Sequence, residues 1–147
     1  MNLTSIRALW QMGHLPPEQL PQVATDLLVA GSDSRALRLL AGLMDPTAAE
    51  ADPLLNQALS ELGVPQLGRD EACKAAAREL AKQALSGVLS PYAASSSLGG
   101  LCSDCDWPSY LIAFAAALDE WDDFPSARSE IERQILHDCR EVLAHTS

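Results

Sequence analysis

The sequence predicts an all-α protein, and three observations support this prediction. Ala and Leu dominate the hydrophobic fraction of 48%, whereas Ile, Val and Thr are scarce, and this composition favours helices over sheets. Apolar residues recur at intervals of three and four along most of the chain. No alternating run of useful length indicates a strand, and no segment repeats. At 147 residues, we expect a single irregular domain, residues 1–147, of seven or eight short helices.

The first three predicted helices are short segments that end at glycines. The first ends at Gly13, and the second begins at Pro16 and Pro17, because a helix tolerates proline in its first turn. Ser32 or Asp33 is expected to cap the third helix, which we expect to be central because its apolar residues cover more than half of its circumference. The predicted buried residues of these helices are Leu3, Ile6, Leu9, Trp10, Leu20, Val23, Ala24, Leu27, Leu28, Ala36, Leu37, Leu39, Leu40 and Leu43.

Thr47 and Glu50 predict the start of the fourth helix. They stand three residues apart before an apolar run, which is the spacing of a capping box. The fourth helix is therefore predicted over about 48–62, and the fifth over 70–85, before Gly87. The fifth helix places one apolar stripe inward: Cys73, Ala76, Ala77, Leu80, Ala84 and Leu85.

A short sixth helix is predicted from Ser90 and Pro91, which supply a cap and a first-turn proline. We expect it to end in the Ser- and Gly-rich segment 95–100, the best loop candidate in the chain. The surrounding uncharged stretch, 83–103, is interrupted too often for a membrane span and is predicted to be a surface segment.

The last two helices are predicted on either side of Pro125. Asp106 is expected to cap the seventh helix, and Pro125 to begin the eighth. The seventh helix carries an inward seam of Trp107, Leu111, Phe114, Leu118 and Trp121. The eighth carries Ala127, Ile131, Ile135, Cys139 and Val142.

The net charge of -10 excludes two classes of partner. Nucleic acid and an anionic membrane surface would both be repelled, and no local basic patch overrides this field. Residues 83–127 contain no Lys, Arg or His. They hold six acids: Asp104, Asp106, Asp119, Glu120, Asp122 and Asp123.

Four of these acids occupy an unfavourable position, the predicted C-terminal end of the seventh helix. The helix dipole is negative there, and an exposed acid costs about 0.3–1 kcal/mol. A local rule broken without compensation indicates a functional constraint. Alternatively, Asp123 caps the next helix and the other acids keep the surface soluble.

The functional interpretation is a basic protein partner, attracted by the acids and held by an aromatic anchor. Phe124 lies off the apolar seam and is expected to be exposed, whereas Trp107 and Trp121 are expected in the core. The predicted partner-binding residues are Asp104, Asp106, Asp119, Glu120, Asp122, Asp123 and Phe124.

Cys102 and Cys105 form the one cysteine pair with metal or redox spacing. A zinc site needs two further ligands, and a thioredoxin-like site needs a preceding strand, so both cysteines are weak candidates and no metal or cofactor is expected. Cys73 and Cys139 are predicted to be small core residues. Residues 1–17 show no secretion signal, so we expect a cytoplasmic protein whose thiols need not form disulfides.

Catalytic signatures are missing from the sequence. It contains no HExxH, no phosphate-binding glycine loop, no GxSxG and no calcium loop. The acidic pairs Asp119/Asp122 and Glu120/Asp123 share a helix face but lack the Glu-x-x-His partner of a di-iron site. We therefore expect a protein that is not an enzyme.

Two segments of the chain resemble stretches of other proteins. Residues 28–43 (LVAGSDSRALRLLAGL) and 117–125 (ALDEWDDFP) resemble stretches of small bacterial all-helical proteins of uncharacterised function. The resemblance implies a helical bacterial domain and assigns no functional residue.

The leading hypothesis is a protein-interaction module, most concretely an immunity-type inhibitor that covers a basic toxin or nuclease surface. The alternatives are a regulatory or structural homo-oligomer, built by packing of Ala- and Leu-rich helices, and a metal or redox protein that uses Cys102 and Cys105.

Overall fold

The computed structural model describes residues 1–146, and it confirms the all-α prediction. Eight α-helices account for most of these residues, and no strand occurs among them. Two single 3₁₀ turns, Pro17–Gln19 and Pro125–Ala127, precede the second and eighth helices. The helices are α1 (Leu3–Gln11), α2 (Leu20–Val29), α3 (Arg35–Ala41), α4 (Ala48–Glu61), α5 (Arg69–Leu85), α6 (Pro91–Asp104), α7 (Ile112–Asp123) and α8 (Arg128–Thr146).

The helices group into two compact units, Met1–Leu67 and the chain from Gly68 onward. In the first unit α3 packs against both α2 and α4, and α1 is tied to α4 by a hydrogen bond from Trp10 Nε1 to Asp52 Oδ1 (2.6 Å). The fully buried large side chains of this unit are Ile6, Leu9, Leu20, Leu37, Leu40, Leu55 and Leu59.

In the second unit α5 packs against α8 and α6, and α6 packs along α7. The apolar stripes predicted for α5 and α8 supply much of its core. Ala76, Ala77, Ile135 and Cys139 are almost fully buried there. Because α5 presents mainly alanines, its neighbours approach it closely. The larger core side chains come from α6, from α7 and from the residue that precedes α7: Leu98, Leu101, Phe114 and Leu111.

The predicted start of α4 is confirmed, whereas the cap predicted for α3 is wrong. Thr47 Oγ1 accepts a hydrogen bond from the Glu50 amide (3.2 Å), as in a capping box. The α3 cap is Ser34, whose hydroxyl accepts from the Leu37 amide (3.0 Å). The helix is also less central than predicted, because Leu39 is 52% exposed.

The prediction that the Ser- and Gly-rich segment is a surface loop is wrong, because α6 runs through it to Asp104. Ser95 is fully buried and donates a hydrogen bond from Oγ to the Phe114 carbonyl (3.0 Å). At Gly99 the backbone of Ala115 comes so close that an added Cβ would lie 3.4 Å from it. Small residues thus let α6 and α7 pack closely, and this packing outweighs their poor helix propensity.

The seventh helix begins later than predicted, at Ile112, and Asp106 is not its cap. Asp106 and Trp107 both adopt left-handed backbone conformations (φ 60° and 56°). The Trp107 amide then donates to the Cys102 carbonyl (2.9 Å), which closes the end of α6. As a result Trp107 is 59% exposed, and its predicted place in the core is wrong.

Candidate protein-binding surface

Four exposed acids cluster at the C-terminal end of α7, and we call this cluster the acidic helix end. It consists of Asp119, Glu120, Asp122 and Asp123. Their spacing places all four within about half of the helix circumference. No Lys, Arg or His side chain within residues 1–146 forms an ion pair with any of the four. The like charges therefore repel one another at a helix end that already disfavours them.

Arg128, which sequence reasoning overlooked, reduces part of this electrostatic cost. Its Nε donates a hydrogen bond to the Trp121 carbonyl (3.2 Å) in the last turn of α7. Its guanidinium also lies 5.1 Å from the centre of the Trp121 ring, within range of a cation–π contact. A base at this position compensates the helix dipole. A signal was present in the sequence, since Arg128 is the first base after the acidic run.

Phe124 ends α7 and is 59% exposed, as predicted. It forms one wall of an open groove of about 390 Å³ between the end of α7 and the start of α8. The remaining lining residues are Glu120, Ala127, Glu130, Ile131 and Gln134. The groove thus combines an apolar surface with two carboxylates, and none of these six lining residues is basic.

Trp121 is half-buried, in partial agreement with its predicted core position. Its ring lies 5.3 Å from that of Tyr92, centre to centre, at an interplanar angle of 52°. This contact joins the first turn of α6 to the last turn of α7. Trp121 therefore fixes the position of the acidic helix end, and Phe124 is the aromatic side chain available to a partner there.

The other two predicted partner-binding acids, Asp104 and Asp106, lie before the opposite end of α7, a helix about 18 Å long. Arg69 of α5 donates from Nη2 to the Asp104 carbonyl (2.5 Å), and its Nη1 lies 3.3 Å from Asp106 Oδ2. The structure therefore does not bring the six acids together. The acidic helix end and Phe124 form one candidate surface, and the charge of Asp106 is partly neutralised.

The cysteines pair differently from the sequence expectation. Cys105 forms a disulfide with Cys73, across 32 residues, so Cys102 and Cys105 do not act as a pair. Cys73 is buried in the core, as predicted, but its sulfur is bonded. Spacing along the chain could not reveal this bond, because it depends on α5 packing beside the end of α6. Cys102 and Cys139 are free and buried. Burial raises the pKa of both thiols, to about 12 for Cys139.

Within residues 1–146, the part of the chain that the structure describes, no group of three His, Cys, Asp or Glu side chains could hold a metal ion. None of the helices in this part combines the length and the hydropathy needed to cross a membrane. Comparison with family models, with curated proteins and with solved structures found no match for this chain.

Proposed function

We propose that this protein is an interaction module that captures a basic surface of another protein, most concretely an immunity-type inhibitor of a basic toxin or nuclease. The observation that carries the proposal is the acidic helix end, where four exposed carboxylates oppose the helix dipole and form no ion pair with any base of residues 1–146. Arg128 offsets only part of their cost. Stability alone favours Lys or Arg at these positions.

The acidic helix end and the groove beside Phe124 would act at two successive stages of binding: attraction of the partner, and contact with it. A cluster of like charge attracts an oppositely charged protein over about a Debye length, roughly 10 Å at moderate salt, and raises the association rate. The groove then holds one Lys or Arg side chain of the partner. Its aliphatic part contacts Phe124 and Ile131, while its charged group lies between Glu120 and Glu130.

A mixing experiment tests this proposal. The chain is incubated with a basic toxin or nuclease encoded beside it, and the complex is measured by size-exclusion chromatography and calorimetry at rising salt concentrations. We expect a complex whose affinity falls steeply with salt, and which Phe124→Ser weakens chiefly through faster dissociation. The proposal fails if no complex forms, or if its affinity is insensitive to salt.

The inhibitor that we propose acts in the cytoplasm, and the Cys73–Cys105 disulfide offers a test of that location. Cytosolic thiols are mostly kept reduced, so we expect Cys73 and Cys105 to be reduced in living cells and to pair after purification in air. Alkylation at the moment of lysis, followed by mass spectrometry, measures the redox state of both. A fully oxidised pair under these conditions contradicts the cytoplasmic location.

A second candidate function, a regulatory or structural homo-oligomer, is favoured by exposed apolar side chains in the first unit. Val29 is 84% exposed, Met44 91% and Leu39 52%. Exposed apolar side chains that form one contiguous patch are typical of interfaces, and the oligomer requires that these three side chains contribute to such a patch. Light scattering distinguishes the two functions, since an oligomer has a multiple of the 15.7 kDa chain mass and is dissociated by Val29→Ser and Met44→Ser.

A further inference from the structure

A buried arginine lies at the bottom of an open depression in the first unit. Arg7 of α1 is only 6% exposed. The depression has a volume of about 420 Å³, and the rest of its lining comes from the last turn of α4 and the segment that follows. These other lining residues are Ser60, Gly63, Val64, Pro65 and Gln66.

The guanidinium of Arg7 has only neutral hydrogen-bond acceptors. Nη1 donates to Asn56 Oδ1 (2.7 Å), Nη2 donates to the Val64 carbonyl (3.2 Å), and the buried Nε has no acceptor within residues 1–146. A guanidinium carries five N–H groups, so these two bonds leave three unused. A buried charge normally requires an opposite charge or a full set of hydrogen bonds.

Asp52, whose charge acts on Arg7, does not complete this site. Burial lowers the pKa of Arg7, and the negative charge of Asp52 opposes that shift only in part. The Asp52 carboxylate accepts a hydrogen bond from Trp10 Nε1 and forms no ion pair with Arg7. Arg7 is therefore a buried cation beside an open depression, and no acid among residues 1–146 forms an ion pair with it.

We propose that the depression binds a carboxylate group, which accepts N–H groups of Arg7 that Asn56 and Val64 leave unused. The planar guanidinium matches a planar carboxylate, and charge assistance strengthens such bonds. Ser60 and Gln66 are exposed at the rim and can donate a hydroxyl and an amide hydrogen to the same group. Arg7 is the one basic residue among the lining residues of the depression, and the net charge of -10 repels anions. The site therefore suits a singly charged carboxylate better than a phosphate, which carries more negative charge.

This site does not depend on the acidic helix end. It lies in the first unit, its charge is positive, and its ligand is an anion. The carboxylate can come from a small molecule or from the C-terminus of a peptide, and two probes separate these sources. Propionate represents the small molecule, and N-acetylglycine represents the chain terminus.

The test is a titration of the full chain with each probe at constant ionic strength, followed by NMR. The signals measured are the Nε–H resonance of Arg7 and the backbone amides of residues 60–66. We expect saturable shifts with the carboxylates, and the tighter probe identifies the source. The proposal is overturned if neither probe gives saturable shifts, or if neutral N-acetylglycinamide gives the same ones.

Two kinds of variant separate binding from structural support. Arg7→Met is expected to abolish binding, but it also removes the bonds to Asn56 and Val64. Gln66→Glu therefore provides a second test, because it leaves Arg7 in place and adds a negative charge at the rim. We expect it to weaken binding about tenfold relative to the neutral control Gln66→Met. Equal affinities of Gln66→Glu and Gln66→Met would contradict the site.

Discussion

Gly99 allows α6 and α7 to approach each other closely in the middle of both helices. An added Cβ would lie 3.4 Å from the N and Cα atoms of Ala115, which is at the short end of ordinary contacts for a methyl group. Ser95, one turn earlier, uses the same proximity to reach the Phe114 carbonyl. Two small residues thus determine how these helices pack.

Substitutions at Gly99 therefore have opposite expected effects on stability. Gly99→Ala is expected to raise the free energy of unfolding by up to about 1 kcal/mol, because the methyl group fits and the cost of glycine in a helix is removed. Gly99→Leu is expected to lower it by about 1–3 kcal/mol through overpacking. Urea unfolding measures both values, and Gly100→Leu, at an exposed position, is the matched control. A destabilising Gly99→Ala would show that the two helices cannot accept even a methyl group.

Ionisation of the buried Cys139 thiol is expected to lower the stability of the fold at high pH. Burial raises the pKa of its thiol to about 12 in the folded protein, with the charge of Asp138 adding to the shift and Arg140 opposing it. The unfolded thiol ionises near pH 8.5. The contribution of Cys139 to stability is therefore complete below that pH and is lost between about pH 8.5 and 12, by about 1.4 kcal/mol per pH unit. Unfolding measured against Cys139→Ala, which cannot ionise, should show this slope as a difference; identical pH profiles would contradict it.

At the level of the helices, the sequence predicts best those elements whose signals are local. The first turn of α4 and the buried stripes of α5 and α8 follow from caps and periodicity. The length of α6 could not be predicted, because Ser95 and Gly99 disfavour a helix until α7 packs against them. The late start of α7 also depends on contacts distant in sequence, since Arg69 of α5 holds the turn before it.

Some features of the candidate surface could likewise be predicted from the sequence, and others could not. The acidic residues and the exposure of Phe124 could be read from charge and periodicity. The groove could not, because it forms only where Glu130 and Ile131 of α8 lie beside the end of α7. The hydrogen bond from Arg128 to the Trp121 carbonyl was also unpredictable, because it depends on the turn between α7 and α8.

The Cys73–Cys105 disulfide is expected to stabilise the second unit by joining α5 to the end of α6. Its closed loop spans 32 residues, and the loss of chain entropy in the unfolded state predicts about 3–4 kcal/mol. Urea unfolding of Cys73→Ser/Cys105→Ser, compared with wild type under oxidising conditions, measures this value. Cys102→Ala, which leaves the bond intact, is the control for loss of a buried cysteine. If reductant leaves the wild-type midpoint unchanged, the bond does not stabilise the fold.

Across the whole molecule, charge is distributed unevenly in a way that composition does not reveal. Residues 1–67 hold seven acids and three bases, whereas residues 68–147 hold thirteen acids and seven bases. All seven bases of the second part lie on α5 and α8. Within residues 1–146, none of them forms an ion pair with the four carboxylates of the acidic helix end. We therefore expect the proposed partner to bind the acidic helix end itself, and the net charge of -10 alone does not explain its binding.

The most direct test of this claim compares two variants of equal net charge by calorimetry with the basic partner at low salt. One variant changes Asp119, Asp122 and Asp123 to Asn. The control changes three exposed acids elsewhere to Gln: Glu18, Glu71 and Glu141.

We expect the Asn variant to bind at least about tenfold more weakly than wild type and the Gln control to stay within about twofold, because close charges contribute far more than distant screened ones. The Asn variant should also unfold at the same or a higher temperature, since acids at a helix C-terminus are unfavourable. Equal losses of affinity in both variants would contradict a local binding surface, and wild-type affinity of the Asn variant would contradict the proposed function itself.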